Sequence, residues 1–281
     1  MIRAITGFLV AVLLLATPVW AQRAADPMLI RAAVLRVDAQ TLRPISRLEL
    51  PTADLGFAGA RLAIEDNDTT GRFMGQDFEA QEVATGPDGA NAALDSLIGA
   101  GIAFIVVLAD DQTTLALADR AGDRATILNA RARGDALRGA DCRANIIHVA
   151  PSHAMIADAL AQFLMWKNWP RWFLVEGSHP ADTDLADAYR RAASKFGAKI
   201  VETRVYEDTG GARRTDSGHV QVQKQMPVFT QRAPAYDVMI AADDSDVFAP
   251  YLPYQTWDPR PVAGSARAGR SDLQSAGRPQ P

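Results

Sequence analysis

"RANIIHVAPSHAMIADALAQFLMWKNWPRWFLVEG", residues Arg143 to Gly177, contains a complete strand, helix and strand in sequence. Ile146 to Val149 is a short apolar run, Ser152 to about Asn168 carries helical periodicity, and Trp172 to Glu176 is a second apolar run. Such a unit belongs to a parallel sheet, because two parallel neighbours need a crossover of this length between them.

Reading toward the N-terminus, the same alternation repeats. "MLIRAAVLRVD" (Met28 to Asp38) is a strand, and Asp54 to Asp66 is a helix with Leu55, Ala58, Leu62 and Ala63 on one face. "FEAQEVAT" is a strand, Pro87 to Ala100 a helix, "IAFIVVLA" (Ile102 to Ala109) a strand, Thr113 to Ala121 a helix and "ATIL" a short strand. The run Ile102 to Ala109 has the continuous apolar character of a central parallel strand. Toward the C-terminus follow a helix at Asp182 to Phe196, a strand at Lys199 to Tyr206, a helix at Val220 to Gln231, the strand "YDVMIAADD" and a last strand in "PRPVAGS". The pattern is α/β, with helices flanking parallel sheets. It divides into two lobes that meet near Val149 to Ser152, with a cleft between them: residues 22–149 and 150–265.

The first twenty-one residues, "MIRAITGFLVAVLLLATPVWA", set Arg3 before an apolar run from Phe8 to Ala16, then Pro18 and small or medium residues before Gln22. This is the form of a secretory signal peptide cleaved after Ala21, since the run falls short of the roughly 18 apolar residues a membrane span needs. No second hydrophobic span follows. About 260 residues remain, and the formal net charge of −4 becomes −5 with Arg3 removed. An acidic chain with no basic stripe is a poor nucleic-acid ligand. A single Cys142 forms no internal disulfide.

Between the helix at Asp54 and the strand at Phe78, Asn67 to Gly71 reads as a polar turn, with Asn67 and Asp68 ending the helix and Gly71 and Gly75 supplying positive φ. A structural turn and a ligand-facing loop both stand open for Asn67 to Arg72. The tripeptide context of Ser178 is no nucleophile elbow, and neither a phosphate-binding loop nor a metal-ligand spacing around His148, His153, His179 and His219 is present. No enzyme activity, metal or cofactor is therefore expected of the chain.

The phrases "GARLAIEDNDTTGRFMGQDFE", "LADDQTTLALAD" and "HVAPSHAMIADALAQFL", behind a signal peptide, resemble the type I periplasmic solute-binding proteins of ABC importers, the branched-chain amino-acid-binding-like family. That family carries an early helix of the form G-x-x-L-A-x-x-x-x-N, a polar turn and a strand. Within it, "DNxTTGRFxGQ" resembles the subgroup associated with catabolism that depends on pyrroloquinoline quinone (PQQ). The likeness runs from about Ala33 to Ser265 and is specific mainly at Gly59 to Gln76. It implies a two-lobed fold, a periplasmic location, a monomer that does not span the membrane, and permease and ATPase subunits as partners. The ligand implied is a small polar solute held between the lobes: PQQ, a related alcohol-oxidation metabolite or a branched-chain amino acid. The alternative is a ligand sensor or cofactor chaperone for quinoprotein dehydrogenases, without transport.

Ligands of such folds sit at the carboxyl ends of strands, where helix N-termini turn backbone N–H groups inward. The loops at those places supply Gln112, Thr113 and Thr114; Asn129 and Arg131; Ser152 and His153; Ser178; and Asp243 and Asp244 as ligand-binding residues. Asp110 and Asp111 stand where the family usually has small residues, and either cap the helix or oppose a ligand carboxylate. Arg131 either meets an anion or is solvated. Asp243 and Asp244 either hold a ligand ammonium or begin the next helix. Trp166, Trp169 and Trp172 read first as packing between helix and sheet, and Trp257 lies in a Pro-rich loop that stacking on a planar ligand would use. The polar tail "ARAGRSDLQSAGRPQP", residues 266–281 with Ser265 before them, reads as disordered. Because the family returns to its first lobe with further helices, the second lobe and return segment read as truncated, with an altered frame or truncation near Gly264.

Overall fold

A computed structural model describes residues 27–38, 53–208, 216–245, 247–254 and 260–264. The leader, Trp257 and the tail after Gly264 lie outside the described residues.

The first sheet takes its strands from β1 (Met28–Val37), β2 (Gln76–Thr85), β3 (Phe104–Leu108), β4 (Thr126–Asn129) and β5 (Ile146–His148), in the order β2-β1-β3-β4-β5. All four pairings are parallel. Helices α1 (Phe57–Met74), α2 (Ala90–Gly99) and α3 (Asp111–Ala121) connect them. The second sheet contains β6 (Arg171–Gly177), β7 (Lys199–Tyr206), β8 (Val238–Ala242) and β9 (Val262–Gly264) in the order β7-β6-β8-β9, again all parallel. Its helices are α4 (His153–Trp166), α5 (Pro180–Phe196) and α6 (Asp216–Phe229). No helix among the described residues is long and apolar enough to cross a membrane.

Alternation along the strands sorts side chains between two faces. The register row Ala33–Ile105–Ile127–Ile146 lies on the inner face of the first sheet, buried with Leu94 and Leu97 of α2 and Leu117 and Ala121 of α3. The neighbouring row Val34–Val106–Leu128–Ile147 points the other way; Val34 is buried, Val106 and Leu128 are half-buried, and Ile147 is 53% exposed. In the second sheet both faces are covered. Trp172, Leu174, Val238 and Ile240 pack with Ala157, Ala161 and Leu164 of α4 and Leu185, Tyr189 and Ala192 of α5. Phe173, Val175 and Met239 pack on the opposite side with Val222 and Met226 of α6 and with Phe248 and Leu252.

Helix α1 departs from the sequence reading. Asn67 to Gly71 is not a turn but the fourth helical turn of an 18-residue helix. Asn67 Nδ2 donates to the carbonyl of Ala63 (2.7 Å) and Thr69 Oγ1 to that of Asp66 (2.7 Å), so these side chains bond back into the helix instead of ending it. The end comes at Gly75, left-handed at φ 67°, whose N–H donates to the carbonyl of Gly71. Gly71 itself is helical, and its smallness has a packing cause: a Cβ there would sit 2.9 Å from the Gln76 carbonyl and from the Phe78 ring. The expected buried stripe Leu55, Ala58, Leu62, Ala63 is exposed. The inward residues are Phe57, Ala60, Ile64, Asp68 and Gly71, with Asp68 Oδ1 accepting the N–H of Phe78 (3.1 Å).

Of the tryptophans, Trp172 is buried and donates from Nε1 to the Trp169 carbonyl (2.8 Å), which pins the α4–β6 turn. Trp166 is 72% exposed, tilted against Phe163 with the Lys167 ammonium 4.7 Å above its ring.

Candidate functional site

The carboxyl end of β3 runs into Asp110, whose extended backbone lets its side chain accept the N–H of Thr113 (2.7 Å) and so cap α3. Capping is therefore the structural role of Asp110. Asp111, one residue on, turns toward the loop after β4, where its Oδ1 accepts the N–H of Gly134 (3.1 Å). A Cβ at position 134 would fall 2.3 Å from Asp111 Oδ2, so a larger residue there would push the Asp111 carboxylate aside.

Across from that junction stands one side of α5: Asp184, Asp187, Ala188 and Arg191, spaced i, i+3, i+4, i+7. With Asp111, Gln112 and Leu115 of α3 and Gly134 to Leu137 and Asp141 of the following loop, they wall a cavity of about 390 Å³. One wall comes from elements of the first sheet and the other from a helix of the second. Arg191 is held by Asp158 (2.8 Å), which also takes Lys195 (2.6 Å). Asp187 pairs with Arg190 (2.7 Å), and Asp135 accepts the N–H of Ala154 (3.2 Å). Beneath the loop, Arg138 donates to the Ala150 carbonyl; burial lowers its pKa, against the charges of Asp135 and Asp111.

Of the ten sequence-derived ligand residues, Gln112 alone lines this cavity. Several have structural duties. Asn129 is fully buried: its Oδ1 accepts the N–H groups of Arg131 (3.1 Å) and Ala132 (2.8 Å), and its Nδ2 donates to the Ala132 carbonyl (2.8 Å), folding the loop after β4. Ser152 caps α4 by accepting the N–H of Met155 (3.3 Å). Ser178 accepts the N–H of Asp208 (3.0 Å). Asp243 is buried and accepts three N–H groups, of Val247, Phe248 and Ala249, at 2.7–2.8 Å, and so begins the next turn. Burial nonetheless pushes its pKa up. Thr113 contributes its backbone to the cap, and Arg131 is exposed on its loop outside the cavity wall.

Three others meet a different setting. His153 is buried, its N–H donating to the Arg133 carbonyl (2.9 Å) and its Nε2 3.8 Å from Asp244 Oδ1. Neither ring nitrogen has a hydrogen-bond partner among the described residues, and the same holds for the hydroxyls of Thr114 and Tyr189. Burial, then the charge of Asp244, raises the Tyr189 pKa, while Arg133 opposes. Tyr189 and Arg133 therefore stand near Asp244 and His153. Sequence reading missed both, because Tyr189 sits in mid-helix with the periodicity of a core residue. The α5 acids had a legible signal, a polar stripe at helical spacing, but such a stripe is ordinarily a solvated face.

Two parallel sheets in one chain, with a cavity whose walls come from both parts, define an α/β fold of the type I periplasmic binding protein class. A sequence profile of the periplasmic binding protein family matches residues 51–216, and the chain belongs to that family. Among solved structures it is similar to the leucine-, isoleucine-, valine-, threonine- and alanine-binding protein of Brucella ovis in its closed conformation, at 16% identity and TM-score 0.66, covering 90% of this chain and 64% of that one. A branched-chain amino acid ABC transporter periplasmic ligand-binding protein of Burkholderia xenovorans LB400 aligns at 17% identity and TM-score 0.61, over 88% of this chain and 63% of that one. A solute-binding protein of an ABC transporter from R. palustris, in complex with benzoate, aligns at 14% identity and TM-score 0.58, over 88% and 65%. The chain thus spans under two thirds of the length of each. No curated protein matches the sequence.

Proposed function

We propose that this chain is the solute-capturing component of a periplasmic ABC importer, holding a small polar solute between its two sheets and presenting it to permease and ATPase subunits. The observation that carries this reading is the cavity of about 390 Å³ walled jointly by α3, the loop after β4 and α5. A site shared by two parts of a chain lets ligand binding draw those parts together. The volume lies within the usual range for small-molecule sites, about 300–1,000 Å³. Relatives in this fold carry leucine or benzoate, so the fold accommodates either an amino acid or an aromatic acid. PQQ, favoured by the phrase at Asp66 to Gln76, would bring several carboxylates to a wall already lined with aspartates.

The test is isothermal calorimetry of the full chain against an amino-acid set, PQQ and diamines. Saturable binding of one class, abolished by filling the cavity with Ala188→Trp, is the expected outcome. No binding of any class, or binding untouched by that substitution, contradicts the reading.

A further inference from the structure

β2 is the outer strand of the first sheet, and β1 is its one strand partner among the described residues. The carbonyls of Gly75 and Thr85 accept the N–H groups of Met28 and Asp38, so odd-numbered positions of this stretch turn to β1. Even-numbered positions turn outward: Phe78 donates its N–H to Asp68 Oδ1 on α1 (3.1 Å). Asp68 closes the edge at that point. Beyond it Ala80, Glu82 and Ala84 direct N–H and C=O groups outward with no second strand against them among the described residues.

Beside this edge runs a groove of about 520 Å³, between Arg61, Ile64, Thr69 and Arg72 of α1 and Ala80 and Glu82 of β2. Arg61 reaches Glu82 through two hydrogen bonds (2.6 and 2.5 Å), so these two charges satisfy each other. On the helix row that passes through Thr69, Leu62 and Phe73 are 59% and 93% exposed. Ala80 and Glu82 point their side chains to α1's side of the sheet, which sends Asp77, Glu79 and Gln81 to the other face, where all three are exposed. Glu79 has Arg31 at 3.9 Å, and Asp77 has no ion pair among the described residues. The edge therefore has an apolar margin on one face and an acidic one on the other.

We infer that the edge of β2 is a docking surface for an extended segment of another protein, one that alternates apolar and cationic side chains. Added beside Ala80 to Ala84, such a strand pairs with the outward N–H and C=O groups. Its alternate side chains fall on the two faces: apolar ones against Ile64, Leu62 and Phe73, cationic ones beside Glu79 and Asp77. A second copy of β2 would set the acidic row against its own duplicate, so charge favours a basic partner over self-pairing. The inference goes beyond solute capture, since no residue of this groove belongs to the cavity between the sheets.

Fluorescence anisotropy tests it, with the full chain titrated into a labelled peptide of alternating valine and lysine, about eight residues long. Saturable binding is expected, and a peptide of the same composition with its lysines and valines in separate blocks is expected to bind about tenfold more weakly or less. Ala80→Pro removes one outward N–H at a position where an edge strand accepts proline, and is expected to weaken binding about tenfold. Asp77→Lys with Glu79→Lys leaves the backbone untouched; it is expected to weaken the alternating valine and lysine peptide about tenfold and to strengthen one of alternating valine and glutamate. Equal binding of the alternating and block peptides would show a general charge effect and overturn the inference, as would absence of saturable binding or indifference to the charge exchange. A dimer of the chain at the titration concentrations, dispersed by Ala80→Pro, would assign the edge to a second copy and overturn it too. Solute binding at the cavity, read by calorimetry, stands or falls separately.

Discussion

The two sheets share a plan but differ in how they are covered. The second is clad on both faces: every residue of β6 from Trp172 to Gly177 is buried, and separate apolar clusters lie above and below it. The first has one such cluster, under α2 and α3. On its other face Phe104, Ile147 and Val149 are more than half exposed, and α1 buries only Phe57 and Gly71. Parallel sheets ordinarily have both faces covered. Stability among the described residues is therefore concentrated in the second sheet, while the first supplies the more yielding wall of the cavity.

Substitutions can break this comparison. Phe173→Ala, at the centre of the second sheet, is expected to cost about 3–5 kcal/mol by denaturant unfolding, the usual range for a fully buried aromatic. A loss below about 1 kcal/mol would place the core elsewhere. Within the first sheet the two faces should differ sharply: Ile105→Ala, on the clad face, is expected to cost about 2–4 kcal/mol, and Ile147→Ser, on the bare face, under about 0.5 kcal/mol. Equal costs would mean that the bare face is covered in solution.

A third variant probes the wall itself. Gly134→Ala sets a Cβ against Asp111 Oδ2 and is expected to cost about 1–3 kcal/mol, with most of the loss recovered in the double variant with Asp111→Ala. Additive losses would show that the strain arises from something other than this contact. The smallest effect concerns Asp158, whose pKa is lowered by its bond to Lys195 and then by Arg191. Its folded pKa lies below the unfolded value of about 3.9. Its contribution is thus present in full above that value and is lost as pH falls through the folded one. Asp158→Asn is expected to lower the melting temperature at pH 7 by the equivalent of a few tenths of a kcal/mol and to make no difference near pH 2. A gap that persists at pH 2 would assign the effect to packing.

What the sequence made legible follows from the physics of each element. The apolar runs at Ile102 to Ala109 and Trp172 to Glu176 have one stable use, as central strands, and they became β3 and β6. Asn67 and Thr69 have two uses, ending a helix or bonding back within it, and local sequence does not separate them; Phe78, which packs on Gly71, does. At the strand ends, where the sequence places its ligand-binding residues, Asn129, Ser152 and Asp243 serve the backbone. The wall on α5 was hidden because Asp184 and Asp187 look like solvated acids until α3 and its loop are brought against them.

The central claim, that this wall and the loop opposite hold one solute together, is tested most directly by hydrogen exchange of the full chain with and without a saturating solute. Joint protection of residues 134–141 and 180–191, with little change in β6, is the result the account requires. Protection of only one of those two segments, or of neither, would contradict it.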